Sequence, residues 1–433
     1  MSDEEWAGHF ARFEPLADNM RGPLAMRYHG HQFRTYNPDI GDGRGFLLAQ
    51  LRDDAGRLLD FGTKGSGQTP YSRFGDGRLT LKGGVREVLA AEMLEALGVY
   101  TSKAFSLFET GEALVRGDEP SPTRSSVLVR LQHSHIRFGT FQRLAYIERP
   151  DLMQTLIEHV ATAYYPQLLT LEGEARAVAV FGAIVEANAR LAGSWMGAGF
   201  VHGVLNTDNL NVTGESFDYG PWRFLPTSDP SFTAAYFDET GLYAFGRQPE
   251  AVSWALAQLG GALTLVAPQS ALEAELGRFA SAYQQGLRAS VFHRLNLIEG
   301  DFAADMEFLA SVFAWLTESQ AGWNQFFHDW YCGAASAARA AESPQGALYA
   351  DAAFAPVHGG LEARTDGGMD EFLRRPYYQQ PTPVSLVIEE VERVWAAIAE
   401  RDDWSAFEAK LADIAALRSA LGASCHGSVA GRD

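Results

Sequence analysis

Short apolar segments bounded by turn residues dominate the first third of the chain. FLLAQL (46–51), LLDFGTK (58–64) and SSVLVRL (125–131) have the length and the flanking residues of β-strands. One helix is predicted among them over 84–98, because apolar residues recur there every three or four positions and the segment ends at a glycine. We therefore expect residues 1–140 to form a β-rich lobe with one helix.

Helical periodicity replaces the strand pattern from about residue 141 onward. Residues 200–220 interrupt it with many Gly, Asn and Asp residues, which predicts a loop with a short pair of strands. Residues 333–380 are rich in Ala, Gly, Pro and Gln and predict little regular structure. The helices are predicted over 151–169, 173–196, 250–263, 268–289, 302–318, 386–400 and 404–421.

The two patterns together predict an α+β protein. A chain of 433 residues exceeds the usual size of a single hydrophobic core, so we expect two lobes, residues 1–140 and 141–433, with a cleft between them. Apolar residues make up 46% of the sequence and charged residues 21%, which is the balance of a folded globular protein. The chain is therefore large enough to enclose an active site.

Charge and cysteine content exclude several classes of protein. The formal net charge of -19 repels the phosphates of nucleic acids and anionic membranes, so any phosphate site has to be local. Cys332 and Cys425 are too few for a disulfide framework or a structural zinc site. The start of the chain lacks the pattern of a signal peptide, and no segment approaches the roughly 20 apolar residues of a membrane span. We expect a cytoplasmic protein that binds neither nucleic acid nor membrane.

The segment from His202 to Gly220 carries the strongest indication of catalytic chemistry. Protein kinases hold Mg²⁺ with the Asn of an HRDxxxxN motif and the Asp of a later DFG motif. Here His202 and Asn209 have the spacing of the first motif, and Asp218 begins a DYG sequence that corresponds to the second. Amide and carboxylate oxygens are suitable Mg²⁺ ligands. Asn209 and Asp218 are therefore candidate ligands, with an Asn- and Asp-rich hairpin turn as the alternative interpretation.

One position of this segment departs from the kinase pattern. Val204 stands where a kinase has the Asp that accepts the proton of the substrate hydroxyl, and a valine side chain cannot accept a proton. Asp208 is the nearest carboxylate that can act as the base or shape the metal site. Ordinary kinase chemistry is therefore disfavoured.

Charged and glycine-rich segments upstream follow the order found in kinases. Lys64 ends a predicted strand and Glu87 lies in the first turn of the predicted helix, as the Lys and Glu that grip the phosphates do. Glycine-rich stretches at 41–45 and 65–77 flank the lysine and offer backbone N–H groups to phosphate. Each feature also has an interpretation without a ligand. Lys64 would be a solvated lysine, Glu87 a glutamate favoured by the helix dipole, and the two glycine-rich stretches hairpin turns.

Pairs of arginines and histidines are less specific. Arg130 and Arg137 can clamp phosphate, because a guanidinium fork matches its oxygens, with a surface salt bridge as the alternative. In YHGHQF (28–33), His29 and His31 alternate along an extended segment, so their rings point to opposite faces. No third ligand is near in sequence, and we predict structural histidines rather than a zinc site.

Several sequence blocks, in this order, resemble the selenoprotein O family of protein adenylyltransferases. The resemblance covers roughly residues 25–250 and implies a protein-kinase-like fold that binds ATP in a flipped orientation and transfers AMP to hydroxyl side chains of proteins. It would explain the missing kinase base at Val204. The blocks are YHGHQF, GDGRG, DFGTKGSGQTPYSR, GDGR, VREVLAAEML, SHIRFGTF, HGVLNTDN and DYGP.

The resemblance also implies roles for individual residues. Glu87 would pair with Lys64, and Asp208 would accept the proton. Asn209 and Asp218 would hold Mg²⁺, with Mn²⁺ as an alternative. The residues that would contact the nucleotide are Gly41, Gly43, Arg44, Lys64, Asp76, Gly77, Arg130, Arg137 and Asp218.

The match is uneven along the chain. RTYNPDIGDGRG (34–45) differs from the linker that is commoner in the family, which suggests a divergent branch, and the C-terminal third matches weakly. The family also has redox-active cysteines near its C-terminus. Cys425 would correspond to them, and a bridge to Cys332 is conceivable on that resemblance.

Three functions remain open at this level. The leading one is transfer of AMP from ATP to Ser, Thr or Tyr hydroxyls of proteins, this chain included, with UTP as a further nucleotide. The second is γ-phosphoryl transfer with Asp208 as an unusual base. The third is a silent nucleotide-binding scaffold, which is disfavoured because such a scaffold has no need of both Asn209 and Asp218 as metal ligands.

Overall fold

The computed structural model describes residues 1–17, 19, 22–117, 119–366 and 370–422. Cys425 lies outside the described residues, so the predicted redox role of the C-terminus is not addressed by the structure. Cys332 is buried with a free thiol. In the described part of the chain, no helix is both long and apolar enough to span a membrane.

Strands occur mainly before residue 133. β3, β4 and β7 correspond to the three predicted strands, while the others are shorter or less regular in pattern. The strands are β1 (Gly30–Gln32), β2 (Thr35–Asn37), β3 (Leu47–Arg52), β4 (Leu58–Lys64), β5 (Leu79–Thr80), β6 (Lys103–Leu114), β7 (Thr123–Gln132), β8 (Phe200–Val201) and β9 (Arg223–Phe224).

Five of these strands form one antiparallel sheet around β7. On one side β7 pairs with β4, which in turn pairs with β3, and the short β5 continues that same edge. On its other side β7 pairs with β6 over most of its length. β1 and β2 form a separate hairpin, and β8 pairs with β9, which lies just after the loop 200–220 in which the sequence predicts a short strand pair.

Helices dominate the chain after the sheet. They are α1 (Asp3–Phe10), α2 (Leu81–Ala96), α3 (Phe138–Tyr146), α4 (Pro150–Tyr164), α5 (Gly173–Ala198), α6 (Gln248–Leu263), α7 (Gln269–Leu276), α8 (Phe279–Leu295), α9 (Phe302–Ser319), α10 (Trp323–Asp329), α11 (Ala337–Ala341), α12 (Gly346–Tyr349), α13 (Ala355–Glu362), α14 (Asp370–Leu373), α15 (Ile388–Arg401) and α16 (Ser405–Leu421). The α+β class is thus confirmed.

Several predicted boundaries are wrong for local reasons. The helix predicted over 268–289 is two helices, α7 and α8, with Gly277 and Arg278 between them, since glycine is a poor helix former. The helix predicted over 151–169 ends at Tyr164 because Pro166 cannot continue it, and a separate 3₁₀ helix follows. Residues 333–380 contain the short helices α11 to α14.

The helix α2 begins earlier than predicted, and this moves Glu87. Thr80 caps it by accepting a hydrogen bond from the backbone N–H of Gly83, so the first turn starts at Leu81. Glu87 therefore lies in the second turn rather than the first, further from the positive end of the helix dipole. Its position is explained by a partner in the sheet rather than by the dipole.

Packing fixes α2 against the sheet. Val85, Leu89 and Met93 are buried in the largest hydrophobic core, and the helix contacts β6 and β7 as well as α16 near the C-terminus. Trp6 and Phe10 of α1 pack on Phe105 and Phe61 of the sheet. The sheet and α2 therefore form a rigid support for any residue at their contact.

Candidate active site

A cavity of about 680 Å³ lies between the sheet and the loop that carries Asp208 and Asp218. We refer to it as the cleft. Glu87 and Asn209 do not line it, although each adjoins a residue that does. All the other residues that the sequence predicts to contact the nucleotide or accept a proton line the cleft: Gly41, Gly43, Arg44, Lys64, Asp76, Gly77, Arg130, Arg137, Asp208 and Asp218.

Strand register explains why two of these cations share one side of the sheet. Gly62 of β4 pairs with Arg130 of β7, and Lys64 is two residues beyond Gly62 on the same strand. Residues two apart on a strand point to the same face, so Lys64 and Arg130 are diagonal neighbours there. Gly62 leaves room for the ring of His135, since a Cβ atom at this glycine would lie 2.1 Å from His135 Nε2.

Lys64 is the centre of a buried group of charges. Its Nζ forms an ion pair with Glu87 Oε1 and lies 2.6 Å from Asp218 Oδ1. The guanidinium of Arg130 lies 3.5 Å from the same Asp218 oxygen and 3.9 Å from Glu87 Oε2. The side chains of Lys64 and Glu87 are only 4% and 2% exposed, so each charge depends on its partner. The predicted Lys64–Glu87 contact is present.

The backbone around Asp218 is held in an unusual conformation. Asp218 has a left-handed φ of 63°. His202 Nε2 donates a hydrogen bond of 2.9 Å to the carbonyl of Phe217, the preceding residue, and His202 is fully buried. Burial lowers the pKa of His202, which favours the neutral ring. His202 therefore supports the loop that presents Asp218 rather than acting on a substrate itself.

The ionisation of Asp218 is set by its cations. Burial opposes the charge, yet Lys64, Arg130 and Arg137 together hold the pKa of Asp218 well below its ordinary value. About a quarter of the side chain, 24%, remains exposed. Asp218 is therefore a carboxylate at neutral pH on a side chain that is partly open to the cleft.

Asp208 lies in a 3₁₀ turn, Thr207–Asn209, at the inner wall of the cleft. Its Oδ1 is buried and has no hydrogen-bond partner among the described residues. Burial raises the pKa of Asp208 to about 6, although the Arg137 guanidinium opposes this shift. A carboxylate with an unpaired oxygen and a pKa near neutrality is well suited to accept a proton.

Arg137 connects this turn to the first glycine-rich loop. Its guanidinium donates to the carbonyl of Asp208 at 2.8 Å and to Asp42 Oδ1 at 3.0 Å. It also lies 4.8 Å from the ring centroid of Tyr28 and 5.0 Å from that of Phe217. These contacts fix a permanent positive charge at the wall of the cleft.

Two glycine-rich loops line the outer part of the cleft. A Cβ atom at Gly41 would lie 2.6 Å from the ring of Tyr71, and one at Gly77 would lie 2.2 Å from the backbone of Gly67. Gly77 also has a left-handed φ of 71°. The hydroxyl of Thr69 donates to the carbonyl of Asp42 at 2.6 Å. The loops need glycine because their backbones pack directly on one another.

The cleft therefore has two distinct parts. The inner end consists of the lining residues Lys64, Arg130, Arg137, Asp208 and Asp218 together with Glu87, the partner of Lys64, and all six are buried or nearly so. The rim consists of Arg44, Arg73, Asp76 and Arg116. Arg44 and Arg73 are exposed, with no side-chain ion pair to a described residue, whereas Arg116 forms a bidentate pair with Asp76 at 2.8 and 3.1 Å.

Sequence reasoning missed several residues of the cleft. Asp42 was within the predicted loop 41–45 but was not singled out as the partner of Arg137. Arg73 lies in the predicted stretch 65–77, where the arginines were noted only as a group. Arg116 comes from the connection after β6, and nothing in its local sequence indicates a ligand site.

The oxygen donors near the inner end fit a hard divalent cation. The amide nitrogen of Asn209 donates to the carbonyl of Val204 at 3.0 Å, which leaves Asn209 Oδ1 without a hydrogen-bond partner among the described residues. Asp218 is a carboxylate whose side chain is partly exposed. Within the described ranges, no group of three or more His, Cys, Asp or Glu residues forms a metal site. Asn209 and Asp218 offer the oxygen ligands of a Mg²⁺ site that has few protein ligands. In such sites, substrate phosphates and water supply the remaining ligands.

The histidines of YHGHQF make contacts within the protein. His29 Nδ1 lies 2.8 Å from the Tyr36 hydroxyl, and His31 Nδ1 lies 2.8 Å from Gln142 Nε2. Both rings therefore have polar partners that do not require a metal.

The amino-acid sequence is similar to that of a known protein family and of several of its members. Residues 1–415 match the family described as protein adenylyltransferase SelO. The chain is 47% identical over 417 residues to the protein nucleotidyltransferase YdiU of Gloeobacter violaceus, a match that covers 94% of this chain and 84% of the relative.

Other relatives with the same description have similar coverage. The Synechococcus elongatus protein is 44% identical over 439 residues, which cover 95% of this chain and 85% of the relative. The Synechocystis protein is 45% identical over 419 residues, which cover 90% of this chain and 84% of the relative. The similarity thus extends well beyond the cleft and includes most of the helical region.

Proposed function

The chain belongs to the SelO family of protein adenylyltransferases and is a nucleotidyltransferase, and from this premise we propose that it transfers AMP from ATP to Ser, Thr or Tyr hydroxyls of proteins. The observation that carries the proposal is the composition of the inner end. Three cations, Lys64, Arg130 and Arg137, line the same cleft as a carboxylate, Asp208, that has an unpaired oxygen. Cations neutralise the charge that develops on phosphate, and the carboxylate accepts a proton.

The proposed reaction has one displacement at phosphorus. The acceptor hydroxyl oxygen attacks the α-phosphorus of ATP, and the bond between that phosphorus and the bridging oxygen to the β-phosphorus breaks. Pyrophosphate leaves with the electron pair of that bond. Asp208 takes the hydroxyl proton, since Val204 offers no acceptor at the position where kinases have one.

We propose that Asn209 and Asp218 hold Mg²⁺, or Mn²⁺ in its place. Their unpaired amide oxygen and ionised carboxylate support this assignment. The bound cation would neutralise triphosphate charge during transfer. Lys64 and Arg130 contact Asp218, so they orient this carboxylate.

We also propose that the chain is a two-lobed, kinase-like unit divided near residue 140. A five-stranded antiparallel sheet with a single helix that brings Glu87 to Lys64 supports this proposal, as does the position of the cleft beside the Asp208 turn. Nucleotide contacts by Gly41, Gly43, Arg44, Asp76 and Gly77 belong to the same proposal. The cytoplasmic location stays a prediction from sequence.

The test is the position of a radioactive label. The purified protein is incubated with Mg²⁺, a cell extract and ATP labelled on either the α- or the γ-phosphate. Asp218→Ala is the control, since it removes a proposed metal ligand. We expect label on proteins from α-labelled ATP alone, and its loss in the variant.

Other outcomes identify the alternative functions. Label from γ-labelled ATP alone would overturn AMP transfer in favour of an atypical kinase that uses Asp208. No label from either nucleotide, with ATP still raising the melting temperature, would indicate a nucleotide-binding scaffold. Treating the labelled proteins with proteases and identifying the modified residue distinguishes serine, threonine and tyrosine acceptors.

A further inference from the structure

The β1–β2 hairpin contacts the Asp208 turn directly, although it is far from it in sequence. The hairpin contains most of the YHGHQF motif, and Gln32 lines the cleft. Its two turn residues, Phe33 and Arg34, both have left-handed φ angles, 49° and 63°. Such turns usually contain Asn and Gly, because larger residues are strained in this conformation. A strained turn persists only where the surrounding contacts stabilise it.

Three residues from three elements, His31, Thr207 and Gln142, form a closed ring of hydrogen bonds beside Asp208. The backbone N–H of His31 in β1 donates to Thr207 Oγ1 at 2.8 Å. The Thr207 hydroxyl donates in turn to Gln142 Oε1 in α3 at 2.7 Å. The amide of Gln142 then closes the ring by donating from Nε2 to His31 Nδ1 at 2.8 Å.

The ring is directional, and two of its three members are buried. Thr207 is fully buried and Gln142 is 5% exposed, so water does not readily replace a lost partner. The Thr207 hydroxyl accepts one hydrogen bond and donates another, which no apolar side chain can do. Gly30 permits the close approach, since a Cβ atom there would lie 3.0 Å from Thr207 Oγ1.

The residue before Thr207 is held by the same hairpin. Asn206 Oδ1 accepts hydrogen bonds from the backbone N–H of Phe33 at 3.0 Å and from the Tyr243 hydroxyl at 2.8 Å. The contact with Asn206 explains why the turn keeps the strained conformation at Phe33. On the other side, Arg137 holds the carbonyl of Asp208. The carboxyl group of Asp208, in contrast, has an unpaired oxygen.

We propose that Gln142 and His31 are positioning residues for catalysis, which act through Thr207 to orient the Asp208 carboxylate toward the acceptor hydroxyl. The proposal rests on the proposed role of Asp208 as proton acceptor. It gives a function to the YHGHQF motif and to α3, neither of which supplies the reacting groups. The ring fixes the backbone of the turn, and this sets the position from which the Asp208 side chain reaches the substrate.

The test compares three variants. Thr207→Val removes the hydroxyl with little change of shape, and Thr207→Ser restores it. Thr365→Val is the matched control, because Thr365 Oγ1 also accepts from a backbone N–H, that of Ala334, at 2.8 Å and donates to an oxygen, the carbonyl of Leu361, at 2.7 Å. Thr365 lies after α13 and does not line the cleft.

We expect kcat for AMP transfer to fall about 10- to 100-fold in Thr207→Val, with a much smaller change in KM for ATP. Thr207→Ser should recover most of the activity, and Thr365→Val should keep the wild-type kcat. Equal losses in Thr207→Val and Thr365→Val would overturn the proposal, as would a rise in KM that accounts for the whole loss.

Amide hydrogen exchange of residues 204–212 separates this proposal from the proposed function. Exchange should accelerate in Thr207→Val and return to the wild-type rate in Thr207→Ser. If the wild-type protein transfers no AMP, the proposed function fails, and unchanged exchange would then also refute the ring as a support of the turn. If AMP transfer is present and exchange is unchanged, only the positioning proposal fails.

Discussion

The inner end and the rim of the cleft both contain paired charges, but the pairs differ in burial. At the inner end, the side chains of Lys64 and Glu87 are 4% and 2% exposed. At the rim, the side chains of Arg116 and Asp76 are 22% and 47% exposed, although their bidentate geometry is good. Similar ion pairs therefore have different consequences, because burial removes the water that would otherwise solvate a single charge.

This difference in burial indicates that the inner end and the rim have different tasks. The inner end holds its charges in place before any ligand arrives, as transfer at phosphorus requires. The rim contains Arg44 and Arg73, exposed and without ion pairs to described residues, which can adjust to a bound nucleotide. We therefore expect substitutions at the inner end to affect stability and kcat, and those at the rim to affect mainly KM.

The largest loss of stability is expected for Lys64→Met. The substitution removes the cation nearest to Glu87 and Asp218 and leaves only the more distant Arg130 beside them, so the free energy of unfolding should fall by about 3–5 kcal/mol. Urea denaturation measures this loss. Lys82→Met is the control, since it breaks the more solvent-accessible pair with Glu392, whose side chains are 25% and 45% exposed, and should cost about 1 kcal/mol or less. Equal costs would mean that burial does not distinguish the two pairs.

Asp208→Asn should separate activity from stability at the inner end. Loss of the proton acceptor should lower kcat by about 10²- to 10⁴-fold. Burial raises the pKa of Asp208 to about 6, so its charge is disfavoured in the folded protein, and a neutral amide should not lower the free energy of unfolding at pH 8. AMP transfer and urea denaturation of the same preparation measure both quantities. Retention of full activity would exclude Asp208 as the base.

A third prediction concerns Glu215, a buried carboxyl that does not line the cleft. Both of its oxygens accept hydrogen bonds from the backbone N–H of His133, and burial raises its pKa from 4.5 to about 8. Between these two values the unfolded chain is ionised at Glu215 while the folded protein keeps the proton. Stability attributable to this group is therefore complete below the lower value and is lost as the pH rises toward about 8.

Glu215→Gln should remove this pH dependence. The variant should gain stability relative to the wild type by up to about 1.4 kcal/mol for each pH unit above 4.5, and the gain should level off near pH 8. Thermal unfolding at pH 5, 6.5 and 8 measures the difference. A constant difference across this range would show that Glu215 does not change its protonation on unfolding.

The smallest effect is expected at the rim. In a double-mutant cycle of Asp76→Asn and Arg116→Gln, the coupling energy for stability should be about 1 kcal/mol or less and should weaken with added salt. Asp76→Asn should raise KM for ATP more than it lowers kcat. A coupling energy as large as the loss in Lys64→Met would remove the distinction between rim and inner end.

Local sequence patterns predicted much of the secondary structure. β3, β4 and β7 and the long helices α5, α6, α9, α15 and α16 lie close to their predicted positions, because apolar periodicity reports directly on burial. The pattern missed the short α3 and joined α7 to α8, since it does not register a break of two residues. α3 matters most among these, because it begins after Arg137 and carries Gln142.

The sequence by itself determined which chemical groups are present and in what order. Lys64, Glu87, Asn209 and Asp218 follow the kinase order, and the resemblance to a known family named the principal charged residues that line the cleft. Val204 likewise showed, from the sequence alone, that the usual kinase base is absent. These conclusions depend on residue type and spacing, which the chain carries locally.

Only the tertiary structure decided which groups touch. The pairing of Gly62 with Arg130 sets the position of that arginine beside Lys64, and strand register depends on the whole sheet. The contact of Arg137 with Asp42 and the ring that joins His31, Thr207 and Gln142 bring together residues far apart in the chain. Such contacts arise from the packing of separate elements, so no local pattern of residues specifies them.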